Sequence, residues 1–370
     1  MKINFFLIPF VIILGLLFAN NNSKSNRRLY IIVCSAVLLF VAAMRSPEYM
    51  TNTYGIDSAN YKNMFENAFD MGWDEFFATF YMRYFGRGAN EYDIGFVAFN
   101  KIIGLFTSDF AIFSLLADLL FFIPFGIILY RYSTNIFGIM FAFVYYVSLI
   151  QIYMIGGGRQ MFAIGLDMMA LLAIIDGKKL CAGIFFFLGF TIHASSLLFL
   201  APLIMVWYGL KAKTLKQLHL ICFIVFPIVL MMPNQIIAFM GEAAGSEKYA
   251  EYGRHAVQGG ANVFLYLMEL LSLFCLIVIK KKNMLHNKNI AIFYVMLPFL
   301  SLFTPLISAN GTMIRIALYY SIFMTLLVPY SIECWKGNSD RPLTYMFAIG
   351  ALSLLALMSG GMTYYFYWQV

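Results

Sequence analysis

Long apolar segments recur along this chain from Phe5 to Met358, and they restrict its fold more than any other feature. Hydrophobic residues make up 62% of the sequence and charged residues only 12%, which leaves too little polar surface to cover a water-soluble globule. Segments that cross lipid must satisfy their own backbone hydrogen bonds, which favours helices. The sequence therefore predicts an all-α polytopic membrane protein, a single integral membrane domain with about 10 to 13 transmembrane or re-entrant helices.

Candidate spans follow from length, because a crossing needs about 20 apolar residues and rarely fewer than about 17. The candidate spans are residues 3–19, 29–44, 110–130, 136–155, 160–176, 218–239, 263–279, 290–308, 314–332 and 343–359. The first has the length of a signal-peptide core, but no small-residue cleavage pattern follows it. We expect it to remain as a span.

Two further apolar stretches do not fit one simple crossing. The run from Asp93 to Phe106 is too short to cross the bilayer and carries Lys101, and residues 93–109 are expected to form a re-entrant or interfacial segment. Residues 180–210 are too many for one crossing and too few for two. They are interpreted as a broken helical hairpin that enters and leaves by one face, with His193 at its tip.

The distribution of charge supports this topology. It places 15 of the 25 basic residues in loops on one face, which the positive-inside rule assigns to the cytoplasm, and 11 of the 18 acidic residues on the opposite face. The net charge of +7 is thus attributed to membrane orientation and not to nucleic-acid binding. The predicted extracytoplasmic loops are residues 45–92, which are rich in aromatic residues and expected to form interfacial helices, and residues 241–262.

The five cysteines are scattered singly along the chain and show no paired spacing. This pattern is not that of a disulfide framework, a metal site or a redox motif. No disulfide, metal or cofactor is expected.

Three arginines, Arg45, Arg159 and Arg315, lie at the predicted outer ends of spans. One arginine at such a position is most simply a snorkelling anchor. Three of them suggest a cationic site, because a guanidinium binds phosphate or diphosphate in a bidentate manner. They are therefore candidate diphosphate-binding residues.

The surroundings of Arg159 strengthen this interpretation. Residues 156–158 are all glycine, which allows close backbone approach to a ligand, and Gln160 follows at the start of a predicted helix whose amides can bind an anion. The alternative is a flexible turn between two spans. Asp167 lies two helical turns further along the same face and is expected to support this region.

Two residues are candidate proton acceptors. His193 falls at the predicted break between hydroxyl-bearing residues, and its imidazole suits a general base, although a lone histidine in an apolar run is more often structural. Asp57 is either a helix N-cap or a carboxylate that orients a sugar hydroxyl or pairs with an arginine. Tyr61, four residues later, would share its helical face and contact substrate.

These residues, in this order, resemble the EpsG family of polysaccharide polymerases, a branch of the Wzy-type oligosaccharide repeat-unit polymerases. The matching residues are Arg45, Gly55-Ile56-Asp57 with Tyr61 and Phe65, Arg159-Gln160, Ile192-His193-Ala194-Ser195, and Arg315 with Tyr319 and Tyr320. The resemblance covers residues from about 29 to 335, and it rests on the ordered set and not on one specific motif.

The resemblance implies a GT-C-like polymerase of the bacterial inner membrane, multi-pass, with its active site on the extracytoplasmic face. Such an enzyme joins undecaprenyl-diphosphate-linked oligosaccharides by glycosyl transfer and makes O-antigen, capsule or exopolysaccharide. A chain-length regulator and a flippase are its expected protein partners. In this scheme the arginines bind the diphosphate, and His193 or Asp57 deprotonates the attacking hydroxyl.

Two other functions remain open at this point. A lipid-linked oligosaccharide flippase or other transporter would also be a polytopic helical protein, although transporters often show internal repeats and midplane sites, whereas the candidate residues here gather at one face. A membrane O-acyltransferase acting on surface glycan is also compatible with a histidine such as His193.

Overall fold

The computed structural model describes residues 2–47, 57–84, 93–209, 211–243, 262–281, 285, 287–335, 340–358 and 363–369. These residues are helical almost throughout, and they contain no β-strand beyond one isolated bridge between Arg45 and Phe366. Among the described residues, eight helices are long and apolar enough to cross a membrane, or nine if one bent pair counts as a span. The chain is therefore a multi-pass, all-α membrane protein, as predicted.

The chain divides into two compact units, residues 1–203 with 349–370, and residues 204–348. The helices that begin in the first unit are α1 Asn4–Ala19, α2 Lys24–Ala43, α3 Ser58–Asp70, α4 Trp73–Tyr84, α5 Ile94–Gly104, α6 Phe110–Tyr132, α7 Ile136–Tyr145, α8 Gln151–Gly156, α9 Gly158–Ile175, α10 Lys179–Ile192 and α11 Leu200–Tyr208. A π-helical turn, Tyr146–Ile150, joins α7 to α8.

The remaining helices begin in the second unit, and the last of them runs from it into the first. They are α12 Ala212–Met231, α13 Pro233–Ala243, α14 Asn262–Lys281, α15 Lys288–Tyr294, α16 Met296–Phe303, α17 Ile314–Ser321, α18 Met324–Trp335 and α19 Arg341–Met358.

The predicted spans agree with the helices except in three places. The first apolar run forms α1, which has only 16 residues and is shorter than a full crossing. The predicted span 218–239 is wrong at its C-terminal end, since α12 ends at Met231 and a new helix starts at Pro233. Like α2, which begins at Lys24, α12 begins some residues before the predicted start, at Ala212. Met232, directly before Pro233, leaves helical geometry, in accord with the restriction that proline places on the residue before it.

The third difference is a bend within the predicted span 314–332. The helices α17 and α18 meet at an angle of 57°. At this bend Phe323 and Thr325 donate to carbonyls three residues back instead of four, which is the tighter hydrogen bonding of a 3₁₀ turn.

The two unusual apolar stretches also have defined helices. Residues 93–109 hold α5, which has 11 residues and is too short to cross, as expected of a re-entrant or interfacial segment. In the stretch 180–210, α10 ends at Ile192, a 3₁₀ turn runs from Ala194 to Phe199, and α11 follows. His193 lies at this break; that α10 and α11 form a hairpin stays a prediction.

In the first unit, segments that the charge distribution assigns to the same face of the membrane are in contact with one another. At one end Arg27 donates to the Ser133 carbonyl at 2.6 Å, and Arg131 pairs with Asp176 at 2.8 Å. These are loops that the sequence assigns to the cytoplasmic face. Residues 244–261, most of the second predicted outer loop, lie outside the described residues, as do residues 48–56 and 85–92 of the first.

At the other end of α2, the C-terminal segment pairs with the residues that follow the helix. Ser46 donates its amide hydrogen to the Tyr365 carbonyl and Tyr367 donates to the Met44 carbonyl, each at 2.9 Å. The Tyr364 hydroxyl donates to the Val41 carbonyl. Burial raises the pKa of Tyr364 above its ordinary value, so this hydroxyl keeps its proton.

In the second unit a buried histidine ties three helices together. The Nδ1 atom of His219 in α12 lies 2.8 Å from the Tyr294 hydroxyl in α15, and Nε2 lies 2.8 Å from Ser272 Oγ in α14. Ser272 Oγ lies 3.0 Å from Ser301 Oγ in α16. His219, Tyr294, Ser272 and Ser301 thus each have a hydrogen-bond partner within the protein, as an apolar surrounding requires.

In the first unit α6 and α9 pack closely against each other, and Gly165 of α9 permits this close approach. A Cβ atom at Gly165 would lie 2.1 Å from the Leu120 carbonyl oxygen, so any side chain there pushes the helices apart. We expect Gly165→Ala to lower the free energy of unfolding by about 1 to 3 kcal/mol, the usual cost of overpacking. The melting temperature of the detergent-purified protein measures this.

The matched control is Gly183→Ala in α10, where an added Cβ meets nothing within 4 Å. Alanine is the better helix former, so this variant should melt at or slightly above the wild-type temperature. Equal melting of the two variants would contradict the proposed role of Gly165.

Candidate functional site

Arg159 is held between two aromatic rings at the start of α9. Its guanidinium carbon lies 5.9 Å from the centre of the Tyr61 ring and 5.5 Å from that of Phe96. Its side chain is 26% exposed, and its Nε atom is buried with no hydrogen-bond partner among the described residues. The rings fix the cation by cation–π contact, and the guanidinium still has donor capacity for a ligand.

Asp93 is the acidic partner of this cation. Its Oδ2 lies 3.8 Å from Arg159 Nη1, and its side chain is 16% exposed. At this distance the pair is ionic but lacks a short bidentate hydrogen bond. Asp93 is the N-cap residue of α5, so the short helix carries the carboxylate to the arginine. We call Arg159, Asp93, Tyr61 and Phe96 the Arg159 site.

The His193 segment adjoins the same short helix. A Cβ atom at Gly95 would lie 2.6 Å from the backbone carbonyl carbon of Thr191, so the backbones of α5 and α10 are in direct contact there. Asp93 is two residues before Gly95, and His193 is two residues after Thr191. The candidate base and the Arg159 site are therefore connected by a single close helix contact.

The imidazole of His193 is engaged through Nδ1. Ser195 Oγ lies 3.2 Å from Nδ1, and the Ser195 amide lies 3.5 Å from the same atom. The Ser195 amide donates its hydrogen to Nδ1, so Nδ1 is an acceptor in this arrangement and the neutral ring carries its hydrogen on Nε2. A general base at Nε2 requires the other tautomer, with Nδ1 donating to Ser195 Oγ, and the role of His193 as a base stays a prediction.

Asp167 supports the His193 segment and not Arg159 directly. The Ser196 hydroxyl lies 2.7 Å from both carboxylate oxygens of Asp167, and both residues are buried. This bond links α9 to the 3₁₀ turn immediately after His193. The supporting role expected for Asp167 near Arg159 stays a prediction, whereas its bond to Ser196 is a direct structural link that the sequence did not indicate.

Asp57 and Tyr61 belong to α3, the first helix of the outer loop. Asp57 is the N-cap residue of α3, but its side chain makes no capping hydrogen bond to the first turn of that helix. Tyr61 is buried and packs edge-to-face on Phe96 as well as against Arg159. Residues Gly55 and Ile56 of the motif lie outside the described residues.

Arg45 has a different environment from Arg159. Its side chain is only 2% exposed and pairs with Asp118 of α6 at 3.1 Å, and the carboxylate of Asp118 is fully buried. Its Nε atom donates to Ser58 Oγ at 2.8 Å, and Nη1 also donates to the Ala42 carbonyl. In this arrangement the guanidinium is committed to protein groups, and diphosphate binding by Arg45 stays a prediction.

Arg315 and Gln160 occupy contrasting positions. Arg315 is exposed in the first turn of α17 in the second unit, after a short 3₁₀ turn capped by Asn310, which accepts from the Thr312 amide and hydroxyl. Gln160 is buried in the first turn of α9. Their predicted roles remain untested by these contacts.

Sequence reasoning missed Asp93 and Phe96 as site residues. Asp93 was one of many acids assigned to the outer face, and Phe96 was one apolar residue of a short stretch. The sequence feature that could have indicated Asp93 is its position. An acidic residue directly before a helix that is too short to cross the membrane is expected to lie at the membrane surface.

Residues 49–366 match the model of the EpsG family. The chain belongs to the EpsG family. No match was found among curated proteins or among solved structures. Membership indicates a polysaccharide-biosynthesis polymerase with glycosyltransferase-like activity. Within this EpsG protein, α3, α5, α9 and α10, which carry the Arg159 site and the His193 break, all lie in the matched region.

The Asp167–Ser196 bond gives a testable prediction for this EpsG protein. Ser196→Ala removes the hydroxyl donor and leaves a buried carboxyl group unsatisfied, which typically costs about 1 to 3 kcal/mol. We expect a lower melting temperature of the purified protein. In the double variant Asp167→Leu/Ser196→Ala both polar groups are gone, so most of the loss should be recovered. A double variant that melts below Ser196→Ala would refute this pairing.

Proposed function

We propose that this protein polymerises undecaprenyl-diphosphate-linked oligosaccharide repeat units by glycosyl transfer on the extracytoplasmic face of the bacterial inner membrane. The observation that carries the proposal is a half-buried arginine with unused donor capacity in a family associated with polysaccharide polymerisation. The donor's leaving group is an anionic diphosphate at headgroup depth, which is the kind of group that such an arginine binds.

In the proposed reaction, a hydroxyl oxygen of the acceptor attacks the anomeric carbon of the donor sugar. The bond from that carbon to the diphosphate oxygen breaks, and its electron pair leaves with undecaprenyl diphosphate. Arg159 stabilises the charge that develops on the diphosphate. The proton of the acceptor hydroxyl passes to His193 or, alternatively, to Asp57.

Asp93 gives Arg159 a resident counter-ion in the absence of substrate. Because the two groups are 3.8 Å apart without a short hydrogen bond, a diphosphate that offers several charged oxygens can compete for the guanidinium. The Tyr61 and Phe96 rings keep the cation in place during this exchange. Gln160 is proposed as a further substrate contact, and diphosphate binding by Arg315 stays a prediction.

Genetic tests distinguish this function from the alternatives. In a strain that lacks the gene, a polymerase defect leaves single repeat units at the cell surface and removes the glycan ladder. Repeat units trapped at the cytoplasmic leaflet would instead indicate a flippase, and a normal ladder without O-acyl groups would indicate an acyltransferase.

Arg159→Ala and His193→Ala should each abolish long glycan chains while the protein stays in the membrane. Loss of one stabilising donor typically costs about 3 kcal/mol in the barrier, roughly a hundredfold or more in rate. The measurement is the ladder made in the deletion strain by each variant, normalised to protein level. Arg131→Ala is the matched control, since it removes an arginine paired with Asp176 at the opposite end of the first unit. Normal ladders in both site variants would overturn the assignment of residues.

The orientation of the site gives a separate prediction. In a Cys334→Ala background, Cys181 is the one exposed cysteine among the four that remain, and it lies two residues after Lys179 on the predicted cytoplasmic side. Adding Asn67→Cys places a thiol at an exposed position in α3. A membrane-impermeant maleimide should label the Asn67→Cys protein in intact spheroplasts, and the parent only after permeabilisation. Labelling of the parent in intact spheroplasts would put the Arg159 site in the cytoplasm.

A further inference from the structure

A buried ion pair lies beside the Arg159 site and is connected to it by one helix. Arg45 and Asp118 are 2% and 0% exposed, and their charged groups are 3.1 Å apart. Removing two charges from water is costly, so a buried pair is weak evidence for stability alone. The contacts that Arg45 and Asp118 make with other elements therefore indicate the role of the pair.

The guanidinium of Arg45 holds three elements together. Besides Asp118 in α6, it contacts the Ala42 carbonyl at the end of α2 and Ser58 Oγ, which accepts from Nε at 2.8 Å. Ser58 is fully buried and is the first residue of α3. The start of α3 is thus fixed to two membrane-spanning helices through one side chain.

The main chain of Arg45 is fixed as well. Arg45 forms an antiparallel bridge with Phe366, and the amide hydrogens of Ser46 and Tyr367 donate across it. With its backbone and its guanidinium both constrained, Arg45 has little freedom to follow a movement of α3. It can therefore serve as a fixed point for that helix.

Ser58 transmits this constraint to the substrate site. Residues three apart lie on neighbouring positions of one helix face, so the anchor at Ser58 sets the direction of Tyr61. The Tyr61 ring in turn contacts the Arg159 guanidinium and packs on Phe96. Every step from Asp118 to Arg159 is thus a direct contact or one turn of α3.

We propose that Asp118 is a positioning residue of the Arg159 site, acting through Arg45 and Ser58 to hold the Tyr61 ring against Arg159. This inference rests on the proposed function for its effect on activity. In this proposal the side chain of Arg45 connects α6 to α3 and so fixes the position of α3.

The test compares variants that break the link at different points. Ser58→Ala cuts it next to α3 and leaves the Arg45–Asp118 pair intact. Arg45→Met/Asp118→Leu removes both charges, which in other proteins is often neutral or stabilising, so folding can be retained. The control is Arg131→Met/Asp176→Asn, which removes an exposed ion pair from the other end of the same helix α6.

The first measurement is hydrogen–deuterium exchange of the purified full-length protein. We expect faster amide exchange in α3 for both link variants and no change for the control. The second is long-chain glycan per folded protein, which should fall roughly tenfold to a hundredfold in both, because a displacement of about 1 Å near the chemistry has that effect. The triple variant with all three substitutions should lose no more activity than either link variant.

The outcomes separate the two claims. Unchanged exchange in α3 overturns the positioning role of Asp118, whatever happens to the glycan. Full activity of Ser58→Ala with loss in Arg45→Met/Asp118→Leu also overturns it, since activity then does not depend on the contact between Arg45 and Ser58. If α3 exchange rises as expected while Arg159→Ala makes normal glycan, the link exists and the proposed function of the Arg159 site fails.

Discussion

Hydrocarbon offers no hydrogen-bond partner, so each polar group inside the membrane has to find one within the protein. This constraint accounts for three sets of buried polar contacts. Asp118 meets Arg45, Asp167 meets Ser196, and His219 meets Tyr294 and Ser272. The contacts of Asp118 and His219 join elements that are distant in sequence, and that of Asp167 joins α9 to the turn after the next helix. These polar residues thus help to specify which elements are neighbours, while the apolar residues supply contact area. In the first unit, the same pairings lead from the spans to the helices of the outer loop and the His193 segment.

The short helix α5 shows how a membrane protein can present charge at its surface. A helix of 11 residues cannot cross, so its N-terminal end can bring Asp93 to Arg159 while its apolar face packs on α3 and α10. The contact at Gly95 sets the distance between that carboxylate and the His193 break. The geometry of the site therefore depends on backbone approach between helices as much as on the charged groups themselves.

Hydropathy and charge predicted most of the fold. The length of an apolar run and the number of lysines in the loop beside it are local properties of the sequence. The break at His193 and the shortness of α5 were also predictable from run length. The end of α12 at Met231 was misplaced because hydropathy does not report helix ends, and a proline alone does not mark one, since Pro227 lies inside the same helix. The partner of Arg45 is 73 residues away, and the segment around Tyr364 pairs with residues more than 300 positions earlier. Such pairings depend on the packed helices and have no local signal.

Arg45 and Arg159 illustrate why residue type and position do not determine role. Arg45 follows the end of one helix and Arg159 lies at the start of another, both at the predicted outer face. The sequence assigns both to diphosphate binding. Burial separates them. The guanidinium of Arg45 is enclosed and directed at Asp118, Ser58 and Ala42, whereas that of Arg159 is partly exposed and rests on aromatic rings that accept no conventional hydrogen bond. A cation held by rings keeps its N–H groups for a ligand, and a cation held by carboxylate, hydroxyl and carbonyl oxygens does not. The buried arginine is therefore suited to fixing helices, and the partly exposed arginine to exchanging Asp93 for the phosphate oxygens of a lipid-linked substrate.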